Sequence, residues 1–192
     1  HCRTGTVFII INVEKNLIIK NKRIGVTEMN ILVINAGSSS LKFQLLDMNE
    51  KKILCKGICD RIGMKNSCLE YKVPGKDKLV IDTEMPKHKD AISVVLKTLL
   101  DKKIGVISSL SEIAGVGHRV LHGGEKFHDP VLIDERVMDA IRECIPLGPL
   151  HNPANIMGIE GCAAEMPGIP MVAVFDTGFH QTMPRHAYMY AI

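Results

Sequence analysis

Hydrophobic positions recur first with a period of two and later with a period of about 3.6, so the pattern predicts strands followed by alternating helices and strands. Asn30–Ile34 (NILVI) reads as a buried strand, NAGSSS as a turn, and Leu41–Asp47 (LKFQLLD) as a returning strand with Leu41, Phe43 and Leu45 on one face. Short runs at Ile53–Asp60, Cys68–Val73 and Lys78–Asp82 continue the β pattern between Gly, Asn and Pro-Gly breaks. The opening of the domain is therefore expected to be a β meander.

From about His88 the spacing changes. Ile92, Val95, Leu96, Leu99 and Leu100 form an amphipathic helical stripe expected to end near Gly105. A strand is predicted at Ile113–Leu121, followed by a helix over Asp134–Cys144. Asp134 would be its N-cap, with Val137, Ala140, Ile141 and Cys144 facing inward. Asn152-Pro153 predicts another helix start, Asn as cap and Pro at the first helical position, running to about Glu165. The last clear strand is Met171–Asp176 (MVAVFD). Strands followed by alternating helices and strands imply an α/β domain with a mixed sheet and helices layered on it. Neither an internal repeat nor a low-complexity segment interrupts it.

Composition narrows the function classes. The chain has 192 residues, 46% of them hydrophobic and 23% charged, which excludes a disordered tail, a collagen-like fibre and a coiled coil. Aromatics at 4%, with no Trp, argue against a stacking surface for single-stranded nucleic acid. The net charge of +3 resides entirely in residues 1–28; the rest carries 19 basic and 19 acidic residues and offers no basic footprint for nucleic acid. The apolar run Val7–Ile11 is too short for a signal sequence or a membrane span, and no membrane partner is expected. Six cysteines without a C-x-x-C pair sit in apolar stretches, as expected of reduced structural thiols in a cytoplasmic protein.

Residues 1–28 read as a leader that is not native coding sequence. The chain begins with His, Met29 directly precedes the first strand, and Gly25-Val26 suits a translated ribosome-binding sequence. Residues 29–177 are the expected α/β domain, and 178–192 the start of a second, truncated one.

Four segments can carry chemistry. Asn35-Ala36-Gly37-Ser38-Ser39-Ser40-Leu41-Lys42 joins two strands through small residues, with backbone donors, three hydroxyls and a lysine suited to phosphate. It is not a Walker loop, and an ordinary Ser-rich hairpin would look the same. Arg119, on an apolar strand running into Gly123-Gly124, could grip a carboxylate or phosphate in bidentate fashion, or simply pair with Glu125. His118 and His122 are four apart, but on a strand and without H-E-x-x-H, so they do not suggest zinc. His151 precedes a helix start and could donate to an anion held there, although a loop histidine is commonly solvated. Asp176 ends a strand, where α/β sheets place ligand chemistry, and could hold Mg²⁺ directly or through water.

Taken in order, VINAGSSSLKF, AGVGHRVLHGGE, PLHNPANIMGIE and AVFDTGFHQTMP closely resemble the acetate kinase family, part of the actin-like superfamily of sugar kinases and ATPases. The resemblance implies a ribonuclease H-like domain forming the N-terminal half of a two-domain kinase. It further implies reversible, Mg²⁺-dependent (Mn²⁺ also possible) transfer of the ATP γ-phosphoryl group to acetate, giving acetyl phosphate and ADP. By the same resemblance Asn35, Ser38, Ser40 and Lys42 belong to a phosphate hairpin, with Asn35 near the metal-nucleotide. Arg119 would position the acetate carboxylate, Leu121 and Leu150 would line its pocket, His151 would flank the transferring phosphoryl group, and Asp176 would align Mg²⁺ and acetate. The family's second histidine, further arginine, second phosphate loop and adenosine pocket have no counterpart in these residues, so the 192-residue chain alone is expected to be inactive. The full-length protein is expected to be a homodimer. A propionate kinase would share nearly all the motifs, with NAGSSSLK and Leu121 favouring acetate. A non-enzymatic actin-like binding module is the reading from a different class.

Overall fold

The computed structural model describes residues 29–124, 127 and 129–176. The leader (1–28), Glu125 and the proposed second-domain start (178–192) lie outside them. Eight strands form one sheet: β1 (Asn30–Ala36), β2 (Ser40–Asp47), β3 (Lys52–Asp60), β4 (Cys68–Lys72), β5 (Leu79–Asp82), β6 (Ile113–Val120), β7 (Val131–Leu132) and β8 (Met171–Phe175). Among the described residues three α-helices accompany them: α1 (His88–Leu99), α2 (Glu135–Glu143) and α3 (Asn152–Glu165). The strand order is β5-β4-β3-β2-β1-β6-β8-β7. β1 through β5 pair antiparallel in succession, as the meander predicted, whereas β6 runs parallel to both β1 and β8, making the sheet mixed.

Position in the sheet explains the strand sequences. β8 and most of β1 are buried on both faces and therefore apolar nearly throughout, while β2 alternates buried Leu41, Phe43 and Leu45 with more accessible Lys42 and Gln44. Buried side chains of all three helices join Leu32, Ile34, Leu41 and Val116 in the main core, so the helices share one face of the sheet. The opposite face carries a smaller cluster built on Ile31, Val33, Leu46, Val172 and Val174. Close approaches depend on missing side chains: a Cβ on Gly158 of α3 would lie 2.9 Å from that of Ala36 at the end of β1.

The element boundaries bring three corrections. β1 continues to Ala36 because its register with β2 extends from Asn30↔Asp47 to Ala36↔Leu41. α1 stops at Leu99 instead of Gly105, since Asp101 Oδ1 accepts the amides of Lys103 and Ile104 and turns the chain out of the helix. Asn152 does not cap α3. His151 occupies the N-cap, and Asn152 is the fully buried first helical residue, its amide donating to the carbonyls of His122 (3.2 Å) and Ile141 (3.0 Å). Asp134 does cap α2, accepting the Val137 amide at 3.0 Å. Cys55, Cys59, Cys68, Cys144 and Cys162 are buried thiols outside any disulfide. Desolvation pushes the Cys59 and Cys162 thiols up to about 12, far from reactivity at neutral pH.

Candidate active site

The predicted residues converge by two routes. The first is local: β1 and β2 are joined through Gly37–Ser39, with the Gly37 amide donating to the Ser40 carbonyl at 2.7 Å. Asn35 lies directly opposite Lys42 in the ladder, so the two share a face, and Ser40 joins them by the two-residue period. The second route is non-local. Val33 and Ile34 pair with Gly117 and His118, and Arg119 pairs with Val174, which brings β6 against β1 and β8 against β6. One step past the pair Ile34 and His118, Arg119 falls beside Asn35. Asp176 follows β8 two residues beyond Val174 and therefore rises on the same face as Arg119.

Arg119 and Asp176 meet in a bidentate pair: Nε to Oδ1 at 2.9 Å, and Nη2 to Oδ2 at 2.7 Å. Both side chains are partly open to solvent (47% and 34%), so the pair contributes about 0–1 kcal/mol to stability and chiefly orients the guanidinium plane.

A cleft of about 320 Å³ at the strand ends is lined by Asn35, Gly37, Ser40, Lys42, Arg119, Leu121, His151, Asn155 and Asp176. It is half polar, holds two cations beside one carboxylate, and opens next to the hairpin. Such a site suits anions, with Leu121 offering a small apolar wall. Ser38 is exposed at the hairpin tip and Leu150 is 73% exposed; neither lines the cleft. A neighbouring groove of similar volume on the outer face shares Asn35 and Lys42 but contains none of Arg119, His151 or Asp176.

The two histidines of the Arg119 segment do other things. His118 is buried in the sheet between Ile34 and Ala173, its Nε2 has no hydrogen-bond partner, and burial depresses its pKa to about 3. His122 accepts the Gly124 amide through Nδ1 at 2.9 Å. Among the described residues no group of three or more His, Cys, Asp and Glu gathers to hold a metal. Asp176 supplies the one carboxylate that lines the cleft, beside the Asn35 amide and the Ser40 hydroxyl. That set fits Mg²⁺ that arrives with phosphates and keeps several waters.

Two buried residues that hold the hairpin were not singled out by the reading of motifs. Asn155 donates to the Ala36 carbonyl (2.9 Å) and accepts the Leu121 amide (3.1 Å), and His88 Nε2 contacts the Gly37 carbonyl at 2.6 Å. The signal for Asn155 was present: with Asn152 it places amides three apart on the buried side of the helix, among Ala154, Ile156 and Ile159.

A mixed α/β sheet thus carries, at its strand ends beside a donor-rich hairpin, a cleft whose two cations suit a phosphate or a carboxylate. Comparison with known proteins makes this specific. The model of the acetokinase family matches residues 30–192, and the chain belongs to that family. It is 60% identical over 164 residues to an acetate kinase of Acetivibrio thermocellus, a match covering 85% of this chain and 41% of that protein. An acetate kinase of Thermotoga maritima is 57% identical over the same length, covering 85% and 40%. Among solved structures, the acetate kinase of Porphyromonas gingivalis superposes with a TM-score of 0.81 at 46% identity, covering 85% of this chain and 41% of that one. A propionate kinase of Francisella tularensis gives 0.74 at 41% identity, with the same coverage. The chain thus spans about two-fifths of the length of the relatives it matches.

Proposed function

We propose that the full-length protein is an acetate kinase, transferring the γ-phosphoryl group of ATP reversibly to acetate. The observation that carries this is the convergence of Asn35, Ser40, Lys42, Arg119, His151 and Asp176 on one cleft. In this reading an acetate oxygen attacks the γ-phosphorus, the bond to the β-phosphate oxygen breaks, and ADP leaves. The nucleophile is a carboxylate already ionised at neutral pH, with an ordinary pKa near ~4, so no general base is required. Catalysis reduces to holding reactants in line and neutralising charge. Arg119 holds the acetate carboxylate and faces the charge that spreads over the transferring oxygens. Lys42, Ser40 and the hairpin amides receive phosphate oxygens, His151 adds a donor beside the transferred group, and Leu121 packs on the acetate methyl. Asp176 acts as an organiser: it sets the Arg119 plane and, with Asn35, offers oxygen ligands to a cation. Mg²⁺, when bound with the nucleotide, supplies charge neutralisation at the phosphates; Mn²⁺ has the same preference for oxygen.

The full-length protein acts as a homodimer in the cytoplasm in this reading, with neither nucleic acid nor membrane as partner. The buried thiols outside any disulfide support a reducing compartment, and no helix among the described residues is long and apolar enough to cross a membrane. Propionate is the second substrate to weigh, because a propionate kinase superposes nearly as well. One methylene changes discrimination by only about 1–3 kcal/mol. The test is acetyl phosphate formation, trapped as the hydroxamate, by the full-length protein and by the 192-residue chain. Activity with Mg-ATP is expected of the first and not of the second. A higher kcat/KM for propionate would reassign the substrate. A full-length protein that phosphorylates neither acid would leave a non-enzymatic binding module.

A further inference from the structure

The Ala36–Ser40 turn is held from behind. Two successive carbonyls at its start are each bound by a buried side chain from a different helix: Ala36 by Asn155 of α3 and Gly37 by His88 of α1. His88 and Asn155 are 4% and 6% exposed, so neither bond is open to replacement by bulk water. In a trans peptide the carbonyl and the following N–H point in opposite directions. Fixing the Gly37 carbonyl on His88 therefore turns the Ser38 N–H away from α1. Fixing the Ala36 carbonyl on Asn155 directs the Gly37 N–H to the Ser40 carbonyl, the bond that closes the turn at 2.7 Å. Left free, either peptide could flip and present a carbonyl oxygen to an incoming anion, exchanging attraction for repulsion. The other end of the Asn155 amide receives the Leu121 N–H at 3.1 Å, so one side chain spaces the hairpin from the strand end just past Arg119.

We propose that His88 and Asn155 are positioning residues that lock the hairpin's peptide planes, His88 keeping the Ser38 N–H turned toward phosphate and Asn155 keeping the turn closed through the Gly37 N–H while setting the gap between hairpin and Arg119. This rests on the hairpin being the phosphate site. Each role demands a specific chemistry. His88 must carry its proton on Nε2 to donate to a carbonyl, a task a glutamine amide can take over and a leucine cannot. Asn155 must donate on one side and accept on the other, so an isosteric carboxylate keeps the Leu121 bond and loses the Ala36 bond.

The test uses the full-length protein and His88→Leu, His88→Gln and Asn155→Asp, each checked for an unchanged far-ultraviolet spectrum. Hydrogen exchange of the peptide spanning 36–41 is followed by mass spectrometry with and without inorganic phosphate, alongside KM for ATP and acetate. In the wild type phosphate should slow exchange in the turn. In His88→Leu that protection should disappear and KM for ATP rise about tenfold or more, the scale of one lost bond to a charged ligand. KM for acetate should stay within about twofold, and His88→Gln should recover most of the loss. Asn155→Asp should raise both KM values, since it disturbs both sides of the cleft. If phosphate protects the wild-type turn and His88→Leu or Asn155→Asp equally, the positioning role is wrong while the phosphate reading stands. If phosphate does not protect the wild-type turn at all, the hairpin is not a phosphate site and both fall. If His88→Leu fails to fold, Asn155→Asp decides in the same way.

Discussion

The two halves of the sheet reach the cleft by opposite means. In the antiparallel half, β1 and β2 are neighbours in sequence, and the turn between them delivers Asn35, Ser40 and Lys42 within a single hairpin. In the parallel half, Arg119 and Asp176 are 57 residues apart and meet only because β8 returns beside β6 after α2 and α3. The hairpin supplies its donors by local geometry and could be assembled early. The Arg119 and Asp176 pair requires the whole crossover, whose loop-closure cost is repaid only when the core beneath it forms. Phosphate affinity should accordingly follow the first half, and acetate alignment the second.

The largest effect expected from breaking this division is in the parallel half. Arg119→Gln or Asp176→Asn in the full-length protein should lower kcat by about a thousandfold, the scale of removing a charge-stabilising group from a phosphoryl-transfer site. KM for ATP should change far less than kcat. A comparable loss in both would mean that the halves are not functionally separate.

A second effect, read in stability, belongs to His118 between β1 and β8. Burial holds its folded pKa at about 3 against an ordinary 6.5, so the unfolded chain takes up a proton in that interval and the folded chain does not. Folding stability should therefore fall as pH drops below 6.5, by about 1.4 kcal/mol per pH unit from this residue, and level off near its folded pKa. Urea midpoints between pH 7 and 4.5 should show that slope. His118→Leu should flatten it, costing little at pH 7 because the Nε2 it removes has no partner.

The smallest effect sharpens the antiparallel half. Gly57 in β3 lies where a Cβ would come within 2.4 Å of the Glu70 carbonyl oxygen and 2.6 Å of the Phe43 ring. Gly57→Ala should destabilise the chain by about 1–3 kcal/mol through forced separation of β2, β3 and β4. Hydrogen exchange should locate the loosening there and leave β6 and β8 protected. Uniform loosening would show that the sheet opens as one unit.

The sequence by itself determined the meander, the three helices, the Asp134 cap and most of the cleft residues, because those depend on period, on capping chemistry and on turn residues that act over a few positions. It carried far less about the helix ends. Asp101 stops α1 through bonds from its side chain, where the apolar stripe alone predicted continuation toward Gly105. Asn152, a capping residue by type, is drawn inward because the His122 and Ile141 carbonyls need its amide more than the helix end does. Tertiary structure alone decided which motif residues line the cleft, leaving Ser38 and Leu150 outside it, and which unremarked ones stand behind it. His88 lies 51 residues from Gly37, and Asn155 lies 119 from Ala36. Bonds across such separations leave no periodic trace in the chain, since the pairing of strands and the docking of helices, and not spacing, bring their partners together.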